Sequence, residues 1–279
     1  MYEPNWDNMT HLIMFMRKRE QLRKTGETKD WILNQYRFCN VHREDDRVTR
    51  WLRKHWRWEY DSVPAWWWFM VARTINWPPT LESIKPYILE RDLSVARDNL
   101  QWLKLDGRKI FGSAYIISTN GRKMDKITYI TRLWSEALNR GQNLELDYQP
   151  TCLETHSRLL KIDGLGSFMA AQVVGDMKND GPLRIAPDID TWAAPGPGSM
   201  RGLNRLHALN LKTKWGARNF LDQLNYDRDL VNEQLDCEIF VDAQDFQNCL
   251  CEFDKYMRAL KEEGRPKTNY KSHAEFYTI

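Results

Sequence analysis

The sequence predicts a mostly α-helical protein, and three observations support this prediction. Apolar residues recur at helical spacing in long segments, for example at Leu12, Phe15 and Met16 within residues 8–25. Glycines, prolines and capping residues end these segments. No segment alternates apolar and polar side chains strongly enough to predict a sheet. With 42% hydrophobic residues over 279 positions, the chain is long enough to bury a substantial core.

The expected helices follow one another with short interruptions. Gly26 ends the first helix, and the segment 63–75 is apolar on nearly all sides, which predicts a buried helix. The prolines of the run 76–80 separate it from the next helix, for which Thr80 is the predicted N-cap. Residues 107–118 predict a short strand or an irregular loop. The helices expected before residue 140 are 8–25, 31–38, 46–57, 63–75, 81–91, 93–104 and 125–139.

The segment 151–177 predicts two helices joined by a tight turn, in which Gly164, Leu165 and Gly166 follow one another. Thr151 is the expected N-cap of the first helix, and the second helix begins at Ser167. Glycines reach φ > 0 and allow the backbone to approach a phosphate closely. The first N–H groups of the second helix and its dipole then favour an anionic oxygen. We therefore predict DNA-phosphate binding by Gly164, Leu165, Gly166 and Ser167, although Gly-Leu-Gly alone is more typical of a plain helix–helix turn and the prediction depends on its context.

An acidic segment, Pro187-Asp188-Ile189-Asp190-Thr191, follows the second helix. The arrangement resembles the helix-hairpin-helix DNA glycosylase fold, and we expect one domain of residues 1–279, with two lobes as an alternative. The resemblance implies a carboxylate directed at the target nucleotide. Asp190 fits by its Asp-Thr context and Asp188 by its closer spacing. Members of this fold that act as lyases form a Schiff base through a lysine at the position where this chain has Phe168. The resemblance therefore does not imply Schiff-base chemistry for this chain.

Three longer motifs point to a particular family. They are YRFCNVHREDDRVTRW at 36–51, DTWAAPGPGSMRGLNR at 190–205 and QNCLCEFDKY at 247–256. Together they resemble the DNA base hypermodification family of bacterial viruses, over residues 31–270. That family includes the α-glutamyl/putrescinyl thymine pyrophosphorylases and the helical domain of 5-hydroxymethyluracil DNA kinases.

This second resemblance implies a transferase that acts on double-stranded DNA. It would displace phosphate or pyrophosphate from a phosphorylated 5-hydroxymethyluracil with an amine, such as an amino acid or a polyamine. A separate DNA kinase would supply the leaving group, because the chain has no Gly-x-x-x-x-Gly-Lys-Ser/Thr phosphate loop. We expect the protein to be located in the host cytoplasm. We expect no membrane partner, since the longest apolar stretch, 64–72, is far shorter than the ~20 residues that span a bilayer.

The first motif supplies candidates for phosphate binding. Arg43, Arg47 and Arg50 are predicted to share one helical face, where arginine's planar fork suits a phosphate. The neighbouring acids, Asp45 among them, could instead pair with the arginines or position a magnesium ion. Asn40 belongs to the same candidate group.

The second motif contains a Pro-Gly-Pro-Gly run that is not expected to be helical, followed by a helix over 201–209. Ser199 and Arg201 at that helix start would suit a phosphate, although the run is equally understandable as a connector. Trp192, or the Trp66-Trp67-Trp68 run, is a candidate to stack on a base flipped out of the duplex. The alternative for each tryptophan is a place in the core.

The third motif places Cys251 beside charged side chains on one predicted helix. A thiolate adding to C6 of the uracil ring would help to expel the leaving group, with the carboxylate as base and the lysine lowering the thiol pKa. Direct displacement without a nucleophile, or an inert core thiol, are the alternatives. The histidines do not cluster, so no zinc site is predicted. The catalytic candidates in this motif are Cys251, Glu252, Asp254 and Lys255.

Two other functions are compatible with the same residues. Asp190 could activate water in a DNA glycosylase that excises a modified base. The chain could also be a non-catalytic DNA-binding helper that presents DNA to a hydroxymethyluracil DNA kinase.

Overall fold

A computed structural model describes residues 1–59, 62–140, 150–235, 239–264 and 266. Twelve α-helices and no strand are found over these residues, which confirms the mostly α-helical prediction. The chain forms two compact units: unit 1 consists of Met1–Asp46 and Asp190–Ile279, and unit 2 of Arg47–Ile189. The helices are α1 Trp6–Thr25, α2 Trp31–Gln35, α3 Arg47–His55, α4 Ala65–Ile75, α5 Pro78–Leu89, α6 Leu93–Leu105, α7 Lys126–Arg140, α8 Cys152–Leu159, α9 Ser167–Asp180, α10 Pro197–Leu206, α11 Ala217–Gln234 and α12 Ala243–Leu260.

Unit 1 is built around α12, which packs against α1, α2, α10 and α11. The helix begins at Asp242, whose carboxylate accepts the N–H of Asp245. Its buried apolar face includes Leu250, Phe253 and Met257, as the spacing predicts. Helix α10 approaches α12 so closely that a Cβ atom at Gly202 would lie 2.0 Å from the backbone oxygen of Leu250. Glycine is therefore required at this helix crossing.

Unit 2 contains α4 at its centre, and every residue of this helix is buried, as its apolar pattern predicts. Three tryptophans in and around it donate their indole N–H groups to other buried groups. Trp56 and Trp68 stack with 4.1 Å between ring centroids, and each donates to the backbone oxygen of the other. Trp67 donates to the oxygen of Trp134 at 2.9 Å. Much of the high tryptophan content of this unit is thus explained by its core.

A buried ion pair joins α4 to α9. The guanidinium of Arg73 donates from Nε and Nη2 to the two carboxylate oxygens of Asp176, at 2.6 and 2.7 Å, and both residues are fully buried. Arg53 also donates to Asp176, at 3.1 Å. Because a buried charge needs a well-placed partner, this pair specifies how α9 lies against α4.

Several predicted boundaries are wrong, each for a local reason. The predicted helix 31–38 ends at Gln35, where the backbone of Tyr36 becomes extended. Thr80 is not an N-cap, because α5 already begins at Pro78, and proline is well suited to the first turn. For the same reason, the Pro-Gly-Pro-Gly run is partly helical: Gly196 is the N-cap of α10 and Pro197 its first residue. Residues 107–118 contain no strand and form an irregular loop.

The predicted common helical face of Arg43, Arg47 and Arg50 is also wrong. Arg43 lies in a short 3-10 helix, Arg43–Asp45, whereas Arg47 and Arg50 belong to α3, and Asp46 between them is extended. No helix was predicted over α11, because its buried apolar residues are only Phe220, Leu224 and Val231. Among the described residues, no helix is long and apolar enough to cross a membrane.

Candidate functional site

The segment most suited to DNA binding is the helix–turn–helix of α8, residues 160–166 and α9, which we call the hairpin. Thr151 is the N-cap of α8, as predicted, and its side chain accepts the N–H of Glu154 at 3.0 Å. Asp188 completes this helix start, since its two carboxylate oxygens accept the N–H groups of Cys152 and Leu153 at 2.8 and 3.0 Å. The hairpin therefore begins from a fully capped helix.

The turn of the hairpin depends on one glycine in the left-handed region. Gly164 has φ 95°, and a Cβ atom there would lie 2.6 Å from the hydroxyl oxygen of Tyr129. Leu165 is buried and anchors the turn, and its N–H donates to Ile162 at 3.0 Å. His156 of α8 lies 3.2 Å from the backbone oxygen of Ser167, and burial lowers the pKa of this imidazole. A neutral histidine thus connects the two helices.

The N-terminus of α9 is left open by the fold. Gly166 precedes it with extended backbone, φ −75° and ψ 165°, and no side chain caps the helix. Within the described residues, the N–H groups of Gly166, Ser167 and Phe168 have no partner. Gly166 and Ser167 are exposed, and a Cβ atom at Gly166 would meet nothing within 4 Å. These N–H groups and the dipole of a 14-residue helix can bind an anionic oxygen.

The charge around the hairpin is positive. Lys161 is exposed and directly precedes the turn, and Arg122, the neighbour of the exposed Lys123, pairs with Asp163 of the turn at 2.6 Å. Across unit 2, lysines and arginines outnumber acidic residues by five, whereas unit 1 has two more acidic than basic residues. The chain as a whole is only weakly basic because its charge is unevenly distributed. Unit 2, which contains the hairpin, is the basic unit.

The two candidate aspartates have different environments. Asp188 is occupied as a cap of α8, so its carboxylate supports the hairpin. Asp190 is held by its backbone oxygen, which accepts from Arg228 Nη1 at 2.6 Å and from the N–H of Ala243 at 2.9 Å. Its side chain is exposed and has no hydrogen-bond partner among the described residues. Of the two carboxylates, that of Asp190 is the one free to meet a ligand.

The tryptophans predicted to stack on a flipped base are buried. Trp192 is 2% exposed, and Trp66, Trp67 and Trp68 are 4%, 0% and 1% exposed. Rings enclosed in the core offer no free face to a nucleobase, so this prediction is wrong. The exposed aromatic ring next to the hairpin is that of Phe168, at 58%. From the sequence, this position is notable only because it lacks the lysine that lyase-type glycosylases carry there.

The candidates of the first motif divide between the two units. In unit 1, Arg43 is buried, and its backbone N–H donates to Asp245 at 2.9 Å. Asn40 accepts from Arg19 and donates to the backbone of Asp45, whose carboxylate pairs with Arg23 at 3.1 Å. Asn40 and Asp45 are thus engaged within unit 1. In unit 2, the exposed arginines of α3 are Arg47 and Arg50.

A second cluster of arginines lies between α10 and α12, where the carboxylate of Asp254 is fully buried. Arg201 and Arg205 donate from Nε to its two oxygens at 2.9 and 2.8 Å, and Arg258 lies 3.4 Å away. We call these four residues the Asp254 cluster. Asp254 therefore orients arginines rather than acting as a catalytic base. The side chains of Arg201 and Arg258 are 41% and 37% exposed, which leaves donors directed to solvent.

Ser199 does not contribute a free hydroxyl to this surface. It is fully buried, and its Oγ bonds to Gly196 and accepts from Gln247 at 3.0 Å. The predicted phosphate contact of Ser199 is therefore not available, because the hydroxyl completes the cap of α10. Arg205 and Arg258 were not predicted from the sequence. Arg205 follows Arg201 at helical i,i+4 spacing on α10, and Arg258 follows Asp254 at the same spacing on α12.

The environment of Cys251 opposes thiolate formation. Burial, with the negative charge of Glu252 adding to it, raises the pKa of the thiol to about 11. Lys255 forms an ion pair with Glu252, and its ammonium lies 4.5 Å from the ring centroid of Phe38. The same oxygen of Glu252, Oε2, also accepts the backbone N–H of Cys39, at 2.9 Å. The predicted lowering of the Cys251 pKa by lysine is thus outweighed by burial and Glu252.

No group of three or more His, Cys, Asp or Glu residues suited to a metal ion occurs in the described part of the chain. Two acids of the first motif are paired with arginine, Asp45 with Arg23 and Glu44 with Arg43, both at 3.1 Å. His42 of the same motif lies 3.1 Å from Asp245 of α12. The hydrogen bond that His42 donates to the carboxylate of Asp245 raises the pKa of His42.

A family model described as "5-hmdU DNA kinase, helical domain" matches residues 7–265, nearly the whole chain. No curated protein and no solved structure matches. The matched range contains the hairpin, Asp190 and the Asp254 cluster.

Proposed function

Since the chain belongs to the 5-hmdU DNA kinase helical-domain family, we propose that it is a thymine-hypermodification enzyme that acts on double-stranded DNA. The family relates the chain to the 5-hydroxymethyluracil modification pathway. The observation that supports DNA binding is the open N-terminus of α9 behind the Gly164–Gly166 turn, in the basic unit. Amide groups and positive charge bind the backbone of a duplex without reading its sequence.

The reaction that we propose is displacement at the C5 methylene of a phosphorylated hydroxymethyluracil. The amine nitrogen of an amino acid or polyamine forms a bond to the methylene carbon, and the bond from that carbon to the phosphate oxygen breaks. Phosphate or pyrophosphate leaves with the electron pair, and the nitrogen loses a proton to solvent or to a carboxylate. The substrate is viral DNA in the host cytoplasm, and a separate kinase supplies the phosphorylated base.

The free side chain of Asp190 supports a role beside the amine. An exposed carboxylate attracts an ammonium group, and it can accept the proton that the nitrogen releases. The backbone contacts to Arg228 and Ala243 restrain the residue without occupying its oxygens. The raised pKa of Cys251 favours direct displacement over a covalent cysteine intermediate.

The Asp254 cluster is suited to hold the leaving group. Three arginines share the charge of one buried carboxylate, and Glu263 pairs with Arg205 at 2.5 Å. Positive charge therefore exceeds negative charge at the exposed ends of Arg201 and Arg258. Arginine forks match phosphate oxygens, and a magnesium ion could arrive with the phosphate.

A non-catalytic function is the second candidate. The family description names the helical domain of a kinase, and this chain lacks a phosphate loop of its own. Such a domain could present hydroxymethyluracil DNA to a separate kinase through the same hairpin. A glycosylase reaction, in which Asp190 activates water, is the third candidate, because the carboxylate is free.

One experiment separates these functions. The protein is incubated with a duplex that contains pyrophosphorylated hydroxymethyluracil, together with glutamate, glycine or putrescine, and the nucleosides are measured by mass spectrometry. A new nucleoside with the mass of the amine, and release of pyrophosphate, supports the transferase. A free base with an abasic site identifies a glycosylase, whereas binding without any product identifies a helper.

Asp190→Asn and Asp188→Asn form a matched pair for this assay. Asp190→Asn leaves the backbone contacts in place, and we expect it to lose turnover while remaining folded. Asp188→Asn weakens the cap of α8, and we expect it to lower the stability of unit 2. Parallel reactions with EDTA and with magnesium test the metal requirement.

A further inference from the structure

An aromatic pair, the exposed Phe168 and the half-buried Tyr115, lies at the open N-terminus of α9. Phe168, the second residue of that helix, is 58% exposed. One face of its ring lies against Tyr115, with 5.8 Å between the ring centroids and 27° between the planes. The exposed part of the side chain is therefore the part of the ring that Tyr115 does not cover.

Buried groups support this pair from beneath. The guanidinium of Arg73 lies 5.2 Å from the ring centroid of Tyr115, and Arg73 is itself held by both oxygens of Asp176. Tyr115 has φ 54°, a left-handed conformation that is costly for a tyrosine. The loop thus keeps a strained backbone while it holds the ring against Phe168. Phe168 is a supported ring rather than a loose surface side chain.

The chemistry around the ring matches a nucleotide. The N–H groups of Gly166 and Ser167 immediately precede Phe168 and can take a phosphate oxygen. Lys161 adds positive charge on the same hairpin. A flat apolar ring next to an anion-binding backbone is the combination that holds a base and its phosphate. An apolar peptide would use the ring but not the open amides.

We propose that Phe168, supported by Tyr115, is a stacking site for a nucleobase displaced from the duplex. A base within the duplex has both faces covered by its neighbours, so only a displaced base can present a face to the ring. This inference rests on the proposed DNA binding and adds the residue that receives the base. It also gives a function to the position where lyase-type relatives would carry a lysine.

The test measures the affinity of Phe168→Ala for two duplexes by fluorescence anisotropy. One duplex carries a single hydroxymethyluracil, and the other has an abasic site at the same position. Loss of one base–aromatic stack weakens binding about five- to hundredfold. We expect that loss on the hydroxymethyluracil duplex, and a difference from wild type of less than about twofold on the abasic duplex.

Companion variants separate stacking from folding. Phe168→Trp keeps an aromatic face and should retain affinity. Tyr115→Asn tolerates the left-handed backbone but removes the supporting ring, so it should lose part of the affinity. Trp102→Ala removes an aromatic ring of α6 that is 55% exposed, and it should bind as the wild type does.

Three results would overturn the stacking site. They are unchanged affinity of Phe168→Ala, an equal loss on both duplexes, and an equal loss in Trp102→Ala. Failure of the proposed function looks different, because the wild-type protein would then fail to bind the duplex at all or would give no product in the mass assay.

Discussion

Gly166 offers the sharpest test of how the hairpin meets DNA. Its φ of −75° is available to any residue, and a Cβ atom there would meet nothing within 4 Å. The fold therefore does not require glycine at this position. Close approach of a phosphate to the backbone would require it. We predict that Gly166→Ala folds normally but binds duplex DNA more weakly.

The structure sets the expected magnitudes. Alanine is a poorer N-cap than glycine, so Gly166→Ala should lower the free energy of unfolding by less than about 1 kcal/mol. A methyl group between the backbone and a phosphate would lengthen or break one charge-assisted hydrogen bond, worth about 1.5–3 kcal/mol. That loss corresponds to a dissociation constant roughly 10- to 150-fold higher. The salt dependence should keep its slope, since no cation is removed.

The assay is fluorescence anisotropy with a labelled duplex over a series of salt concentrations, with urea unfolding in parallel. Gly216→Ala is the matched control, because Gly216 is also an N-cap, with φ −66°, and has equally open space around it. Gly164→Ala is the contrasting variant: its φ of 95° and the contact to Tyr129 should cost about 2 kcal/mol or more of stability. Equal DNA affinity of Gly166→Ala and wild type would refute phosphate contact at Gly166.

Four further predictions concern stability and chemistry. Asp176→Ala leaves the buried guanidinium of α4 uncompensated and should cost about 3–5 kcal/mol in urea unfolding; a cost below about 1 kcal/mol would contradict the role given to this ion pair. Burial lowers the pKa of His156, so the stability that this histidine contributes is lost as the pH falls below about 6.5. The contact to Asp227 raises the pKa of His207, so the stability that His207 contributes is lost as the pH rises above about 6.5. His156→Gln and His207→Gln should therefore change the pH profile of unfolding in opposite directions, and parallel changes would disprove the assignment. With a thiol pKa of about 11, Cys251 is ionised in only about one molecule in ten thousand at neutral pH, so Cys251→Ser should keep roughly the wild-type rate; a loss of about a hundredfold would restore the covalent route. Arg258→Ala should weaken pyrophosphate binding about tenfold in calorimetry, and unchanged binding would exclude the Asp254 cluster as the leaving-group site.

The hairpin was predictable because its determinants are local. Thr151, the Gly164 turn and the start of α9 at Ser167 follow from capping and glycine conformation, which depend on a few adjacent residues. The buried α4 followed in the same way from an uninterrupted apolar segment. The mostly α-helical fold and the relation to the kinase helical domain were likewise recognisable in the sequence, and both are confirmed.

Side-chain roles were less predictable, because they depend on partners distant in sequence. Ser199 has the residue type of a phosphate ligand and Asp254 that of a catalytic carboxylate, but one caps α10 and the other orients arginines. Trp192 has the ring that a base would need, but the core encloses it. Nothing in the local pattern distinguishes an aromatic residue of the core from Phe168, whose exposure depends on a loop more than fifty residues earlier.

Structural and functional candidates differ in whether their hydrogen-bonding groups and ring faces already have partners within the fold. Asp188 and Asn40 have their hydrogen bonds completed inside their units, so a ligand would have to break existing bonds to reach them. In the described part of the chain, the amides at Gly166, the carboxylate of Asp190 and the open ring of Phe168 have no such commitment. Leaving these groups open gives the folded chain little stability. In unit 2, a phosphate and a displaced base would give the amides and the ring their partners, and in unit 1 an amine would give the carboxylate of Asp190 its partner.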